Sequence, residues 1–492
     1  MLISPRDFVD NRHLRHLASA LRDGTSRSVL WAGPLALEGR RNGGASWGES
    51  FPASRVIDYL GSVPPSRYVA DAFDSEYSPL LLEHTSINPV HPVHLAALRG
   101  SLVAHAMITA WRALGADVTT TYFINDLGKQ VRVLVDAVRR AGSLDRRPPH
   151  VRFDRAVGVV YAAANMVAAG RWADIDVLTR RFPWLDDVLD IRELSRGASA
   201  TDSECKDDLR SRLVEGMRAA AVHDLATFGI DIDRWEYEST LTLPPVHRLA
   251  TVDRMRIVRI NGTLCASTPG GRIPLVRRDG SPFYFAKDVE NVRSRPFVKM
   301  THVIGEDQAF LQRELSRLTA LDGKSLRTFG IGHVTVHGKA SSARQHRIVC
   351  VEDVEIEAGL EGVHALALGM LSVPHRARLR LPLPQEKWIP KVLAQLQAPL
   401  REMTDPRTPV NEPALEQLLT FILRAPGIIR SVTMRGNAHS LVTLLRHVLD
   451  AYSRAGAGVP EEVSSHTEQL VDLLAASCGL RRHDVSERKE QA

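Results

Sequence analysis

The residues able to do chemistry fall into separated stretches. Glu83-His84 and Asn88 stand together, with His91 and His94 just after them. Asn125-Asp126 and Lys129-Gln130 form a second group, Tyr284, Lys287 and Asp288 a third, and Glu306-Asp307-Gln308 a fourth. A basic turn closes the series, with Lys339, Ser341 and Arg344. Carboxylates and amide oxygens can accept from a cation that carries N–H donors. An imidazole at a helix N-terminus, or a lysine in a turn, suits phosphate charge. Taken singly, each residue also has a plainer reading. Glu83 is then an exposed strand residue, Tyr284 and Asp288 ordinary surface-to-core residues, His91 a solvent-facing loop histidine, and Lys339 with Arg344 a solvated basic turn.

The elements that must position these residues are clearest after residue 77. Leu80-Leu81-Leu82 is a short apolar run that predicts a buried strand. Asn88-Pro89 breaks it, and Pro92 suits a first helical turn. From Leu95 to Leu114 apolar residues recur at helical spacing, with Gly115 as the stop. Val118–Ile124 alternates and is rich in Thr and aromatics, which predicts the next strand. Strand, helix and strand in this order make a βαβ unit and hence a parallel sheet. A helical insertion is expected at about 131–250. Strand signals return at Arg256–Ile260, Pro282–Ala286, Val298–Ile304 and His333–His337, with a helix at Ala309–Leu321. Pro382-Leu383-Pro384 marks a linker, and Lys387 to Leu480 reads as amphipathic helix. Residues 1–77 are poorly patterned, with short helical stretches at Pro5–Leu21 and Ser54–Leu60, and predict a small, loosely built N-terminal extension. The expected fold is thus α/β, with a Rossmann-like parallel sheet over 78–375 and an all-α bundle over 386–492.

Composition excludes several classes. Hydrophobic residues make up 44% of the 492 and charged residues 24%, an ordinary globular mix. No apolar run reaches bilayer length, and the first residues have no apolar signal region, so no membrane association and a cytoplasmic location are expected. The four cysteines, Cys205, Cys265, Cys350 and Cys478, lie far apart without metal-ligand spacing, so reduced thiols and no metal site are expected. The net charge of +6 is compatible with contacts to a phosphate backbone.

Glu83-His84-Thr85-Ser86-Ile87-Asn88-Pro89 leading into His94-Leu95-Ala96-Ala97-Leu98-Arg99 resembles the first class I signature of arginyl-tRNA synthetases. There a Ser-x-Asn-Pro stretch precedes His-x-Gly-His and an Arg two places on. Asn125-Asp126-Leu127-Gly128-Lys129-Gln130 resembles that family's Asn-Asp-x-Gly-x-Gln block. Phe228-Gly229-Ile230, Trp235 with Glu238-Ser239, Phe283–Asp288, Val303–Asp307 and Gly338–Ser342 continue the series in family order, over roughly residues 78 to 375.

The resemblance implies an arginine site in which Glu83 and Asn88 grip the α-ammonium end, Tyr284 and Asp288 face the guanidinium, and Asp307 or Gln308 lies near by on a strand end. It implies an ATP site at His94, Ala96, Ala97, Lys339, Ser341 and Arg344, with His94 and Lys339 catalytic and magnesium accompanying the nucleotide, but no tightly bound cofactor. The chain departs from the family where it matters for ATP. Ala96 replaces a glycine and Ala97 the second histidine, Ala340 and Ala343 alter the second signature, and its usual second lysine is missing, with Arg344 the nearest cation. The C-terminal helices resemble the anticodon-binding bundle in placement and pattern. The implied activity is ligation of arginine, or a guanidino analogue, to tRNA by a monomer. The alternative is a repurposed paralogue that binds arginine as a sensor or in specialised metabolism. A scaffold that keeps only the fold is disfavoured by the survival of Glu83, Asn88, Tyr284 and Asp288.

Overall fold

The computed structural model describes residues 34–40, 46–73, 77–84, 86–196, 204–241, 256–320, 322–336, 339–340, 349–381, 388–398, 400 and 409–480, and the structural statements below concern these. Five strands form a wholly parallel sheet: β1 (Leu80–Glu83), β2 (Val118–Ile124), β3 (Arg234–Tyr237), β4 (Lys299–Gly305) and β5 (Ser325–Ile331). Their spatial order is β5-β4-β1-β2-β3. The chain therefore winds outward from β1 in one direction and returns to its other side as β4. That reversal leaves a crevice beyond the carboxyl ends of β1 and β4, where open α/β sheets take their ligands. Glu83 pairs in register with Thr121 on one side and His302 on the other, so it stands at this crevice.

Leu80, Leu81 and Leu82 are all buried, as a strand covered on both faces requires. The first crossover helix, α1 (Leu95–Ala113), is enclosed as well: Leu98, Leu102, Ala104, Ala106 and Met107 have no exposed surface. Gly115, at φ 81°, ends it with a hydrogen bond from its N–H to Arg112 O. Between β2 and β3 the chain runs through α2 (Lys129–Ala141), α3 (Phe153–Ala168) and α4 (Glu204–Ala226), with shorter helices between the last two. Arg155 on α3 pairs with Glu352 (2.9 Å) and with Asp353, which open α7 (Val351–Leu371), so the insertion is fastened to the far end of the sheet domain.

The sequence reading needs correction at several elements. Arg234–Tyr237 lies inside the expected helical insertion but is β3, paired to β2, and Ser325–Ile331, without a strand signal, is β5. Pro282–Ala286 is not a strand; Tyr284 opens helix α5 (Tyr284–Ser294), and Pro282 makes only an isolated bridge to Val276. Arg256–Ile260 is a strand, but of a separate antiparallel sheet with Thr263–Thr268 and Gly271–Val276. Its first hairpin turns on Asn261 (φ 48°) and Gly262 (φ 82°), a turn pair suited to positive φ. Val334–Val336 belongs to a third small sheet and pairs in parallel with Leu379–Leu381, so the α/β unit runs past residue 375. Helix α6 (Ala309–Ala320) lies between β4 and β5.

The C-terminal helices are Trp388–Gln397, α8 (Glu412–Arg435), α9 (His439–Ala455) and α10 (Glu461–Ser477). Residues 53–73 are not a loose extension. Ala53, Val56, Leu60, Tyr68 and Phe73 are buried in the same core as the bundle; the Tyr68 hydroxyl donates to Ile422 O at 3.1 Å, and its ring meets His466 edge-on. Pro5–Leu21 and the Pro382–Pro384 linker lie outside the described residues. No helix among the described residues is long and apolar enough to cross a membrane.

Candidate active site

A cavity of about 690 Å³ opens at the switch point between β1 and β4. Glu83 comes to it from the end of β1, Asn88 from the loop after it, Gln130 from the first turn of α2, and Gln308 from the turn after β4. Tyr284 and Asp288 reach it from α5, one helical turn apart, and not from a strand end. Asp307 is exposed and does not line the cavity, because successive side chains of the 3₁₀ turn Glu306–Gln308 point in different directions. The loop that carries Asn88 is laced to its neighbours. Ile87 N–H donates to the Tyr122 hydroxyl (2.9 Å), Phe123 N–H to Ser86 Oγ (2.9 Å), and Asn88 Nδ2 to Gln130 Oε1 (3.0 Å). Asp126 anchors the chain behind this wall by accepting from Ser239 N–H at 2.8 Å.

Behind the cavity lies a buried polar layer that sequence reasoning missed. Arg295, just past the end of α5 and only 3% exposed, donates to Glu83 Oε2 (2.5 Å) and to Glu236 Oε2 (2.6 Å and 2.9 Å). Its Nη1 meets His302 Nε2 at 3.3 Å, and His302 Nδ1 meets Gln312 Oε1 at 3.1 Å. Burial lowers the His302 pKa, with Glu83 opposing, so the ring is neutral near pH 7. Arginine can only donate, so Nε2 accepts and the ring proton sits on Nδ1, facing Gln312. The 3.6 Å approach of His302 Nε2 to Glu83 is therefore no ion pair. Burial works to raise the Glu83 pKa, but the Arg295 guanidinium outweighs it and holds the carboxyl below its usual range. The Arg295 contact to Glu83 uses Oε2, and Oε1 has no hydrogen bond among the described residues. The one sign of Arg295 in the sequence is Pro296, which stops a helix and sets the preceding residue at its end.

Asp288 differs from its neighbour. Burial, joined by the negative charge of Glu83, pushes its pKa up to about 7, against the opposing pull of Arg295 and Lys287. Lys287 is itself engaged by Glu238. The cavity thus holds one carboxylate neutralised within the chain and one poised to gain a charge when a cation arrives.

The start of α1 lies outside the cavity: neither His94 nor Ala96 nor Ala97 lines it. His94 is the N-cap, and its Nδ1 accepts from Ala97 N–H at 3.2 Å. Burial, helped by His91, lowers its pKa to about 3, so the ring is neutral and its proton sits on Nε2, which can donate. His91 does not face solvent; it is 8% exposed, with its ring 5.0 Å from that of His94. Arg99, two places beyond Ala97, is fully buried. It donates to Gly332 O (3.1 Å), Ala377 O (2.7 Å) and Pro374 O (2.9 Å), which pins α1 to the return segment after α7. Lys339 lies in a two-residue strand, while Ser341 and Arg344 fall outside the described residues. Among the described residues no group of three or more His, Cys, Asp or Glu could hold a metal ion.

No family model matches the chain. It is 24% identical over 250 residues to an arginine–tRNA ligase of Archaeoglobus fulgidus, covering 50% of this chain and 42% of that protein. It is 25% identical over 399 residues to the arginine–tRNA ligase of Aeropyrum pernix, covering 67% of this chain and 60% of that one. The chain thus spans less than two thirds of these relatives. Among solved structures, Thermus thermophilus arginyl-tRNA synthetase superposes with a TM-score of 0.64 at 16% identity, over 95% of this chain and 91% of that one. The Plasmodium falciparum enzyme superposes with a TM-score of 0.62 at 11% identity, over 88% and 83%.

Proposed function

Because this chain fits the arginyl-tRNA synthetase family, we propose that it activates arginine, or a close guanidino analogue, with ATP and passes the acyl group to the terminal ribose of a tRNA. The observation that supports this most is the single cavity onto which Glu83, Asn88, Tyr284, Asp288 and Gln308 converge from separate elements. In this reading Asp288 takes the guanidinium and Tyr284, half exposed at the rim, covers it. Asn88 and the unengaged Oε1 of Glu83 take the α-ammonium, and Gln308 lies alongside.

In the first step a carboxylate oxygen of the amino acid attacks the α-phosphorus of ATP and pyrophosphate leaves. In the second a ribose hydroxyl attacks the acyl carbon and AMP leaves. For the phosphates the chain offers the N-terminus of α1 and one donor, His94 Nε2–H. Lys339, with Ser341 and Arg344, would form the cationic loop over the leaving group, and any magnesium would come with the phosphates. Ala97 supplies no second donor, and the lack of one such donor costs about 2.7–4 kcal/mol of transition-state stabilisation. Slow activation is therefore expected. The α/β unit, read as 78–381, would carry this chemistry, and the bundle after 386 would contact the tRNA.

Arginine-dependent exchange between ATP and pyrophosphate, measured with bulk tRNA present, tests the reading. Exchange, followed by arginylation of tRNA, is the expected result. A thermal shift with arginine but neither exchange nor response to ATP would instead identify a protein that only binds the amino acid.

A further inference from the structure

The face of α5 that carries Asp288 also carries Asn291, one turn further on, and Arg295 ends the same stripe. Asn291 is only 7% exposed and lines the cavity, yet its carboxamide makes no hydrogen bond among the described residues. Its backbone oxygen accepts from Ser294 Oγ, so only the side chain is left without a partner. The amide faces the cavity and not the packed interior, so its partner would be a molecule that enters the cavity.

The donors of a guanidinium count the same way. The group has five N–H donors and no acceptor. The Asp288 carboxylate can take two of them side by side. Glu83 Oε2 is already held by Arg295, and His302 has both ring nitrogens engaged. Asn291 Oδ1 is then an acceptor on the Asp288 face of α5 that takes no hydrogen bond among the described residues. We propose that Asn291 is a specificity-determining residue of this cavity, hydrogen-bonding the planar, N–H-bearing end group of the amino acid next to Asp288. This rests on the amino-acid reading of the cavity given above. A carboxamide, unlike a carboxylate, can also turn its N–H toward a ligand oxygen. Asn291 therefore narrows the preference for a guanidino group over the neutral ureido group of citrulline.

The test is isothermal calorimetry of arginine and citrulline with the full chain and with Asn291→Ala and Asn291→Asp, each checked for folding by thermal unfolding. Asn291→Ser replaces the alanine variant should the latter fail to fold. Asn291→Ala is expected to weaken arginine by roughly tenfold, the loss of one hydrogen bond to a charged group. Asn291→Asp is expected to keep arginine within a few-fold and to raise its preference over citrulline by about tenfold, because an acceptor-only carboxylate rejects the ureido oxygen. Wild-type arginine affinity retained in Asn291→Ala, or an unchanged preference in Asn291→Asp, would overturn the proposal alone. No binding of either amino acid to the wild type would overturn the reading of the cavity and this proposal with it.

Discussion

The guanidinium of Arg295 reaches the Glu83 carboxylate at 2.5 Å inside the wall of the cavity, although the two residues stand 212 positions apart. The chain's own arginine side chain thus neutralises one of the two acids that line the cavity. The charge left to a cationic ligand is that of Asp288.

This pairing predicts a stability effect larger than any surface ion pair would give. Arg295→Met removes the shared cation of the half-buried Glu83 and Glu236, leaving Glu236 only Arg234 at 3.4 Å among the described residues, and breaking such a pair costs about 3 kcal/mol. Urea denaturation of the variant measures it. A loss below 1 kcal/mol would mean that water or rearrangement already satisfies both carboxylates.

Asp288 predicts the pH dependence. Its folded pKa, about 7, lies above the ordinary aspartate value near ~4. Between these values the folded state holds a proton that the unfolded chain has lost. Its contribution therefore makes stability fall as pH rises through this window and level off above it. Asp288→Asn should remove that part of the slope. A cationic ligand needs the ionised form, so arginine should bind more tightly as pH rises through about 7, with release of a proton. Calorimetry in buffers of different ionisation heat measures the release, and none at pH 6 would contradict the assignment.

His94 has two separable jobs, since Nδ1 caps α1 while Nε2 is free to donate. Asn is a good N-cap, so His94→Asn should hold the melting temperature near wild type yet lower pyrophosphate exchange by about a hundredfold. His94→Ala should lower both. Equal exchange in His94→Asn and wild type would remove His94 from the chemistry.

The altered first signature predicts a gain of function. Ala96→Gly with Ala97→His removes a Cβ next to the nucleotide position and adds a donor, so ATP should bind more tightly and exchange should quicken. An unchanged ATP affinity would mean that the nucleotide lies elsewhere.

Arg99 predicts a purely structural loss. Arg99→Met strips three carbonyl groups, Gly332 O, Pro374 O and Ala377 O, of one shared donor in a fully buried place. A loss of about 3 kcal/mol or more is expected in chemical denaturation, because buried acceptors left alone retain their full desolvation cost.

Several features of this protein were legible from residue order alone because their causes are local. The buried strand Leu80–Leu82, the helix from Leu95 and its stop at Gly115, the strand Val118–Ile124 and the C-terminal helices all follow from apolar spacing and backbone preference within a few residues. The same stretches carried the motifs that named the family. Tertiary structure alone decided the rest. Arg234–Tyr237 is too short and polar to show a strand pattern, and it is a strand because β2 offers it an edge. Pro282–Ala286 looks extended, but packing of α5 over the sheet makes Tyr284 the start of a helix. Above all, no local rule pairs Glu83 with Arg295 or sets the face of α5 that carries Asp288 and Asn291 against the ends of β1 and β4. Such pairings join distant parts of the chain, and which of them form depends on how the strands are ordered and on what is buried between them.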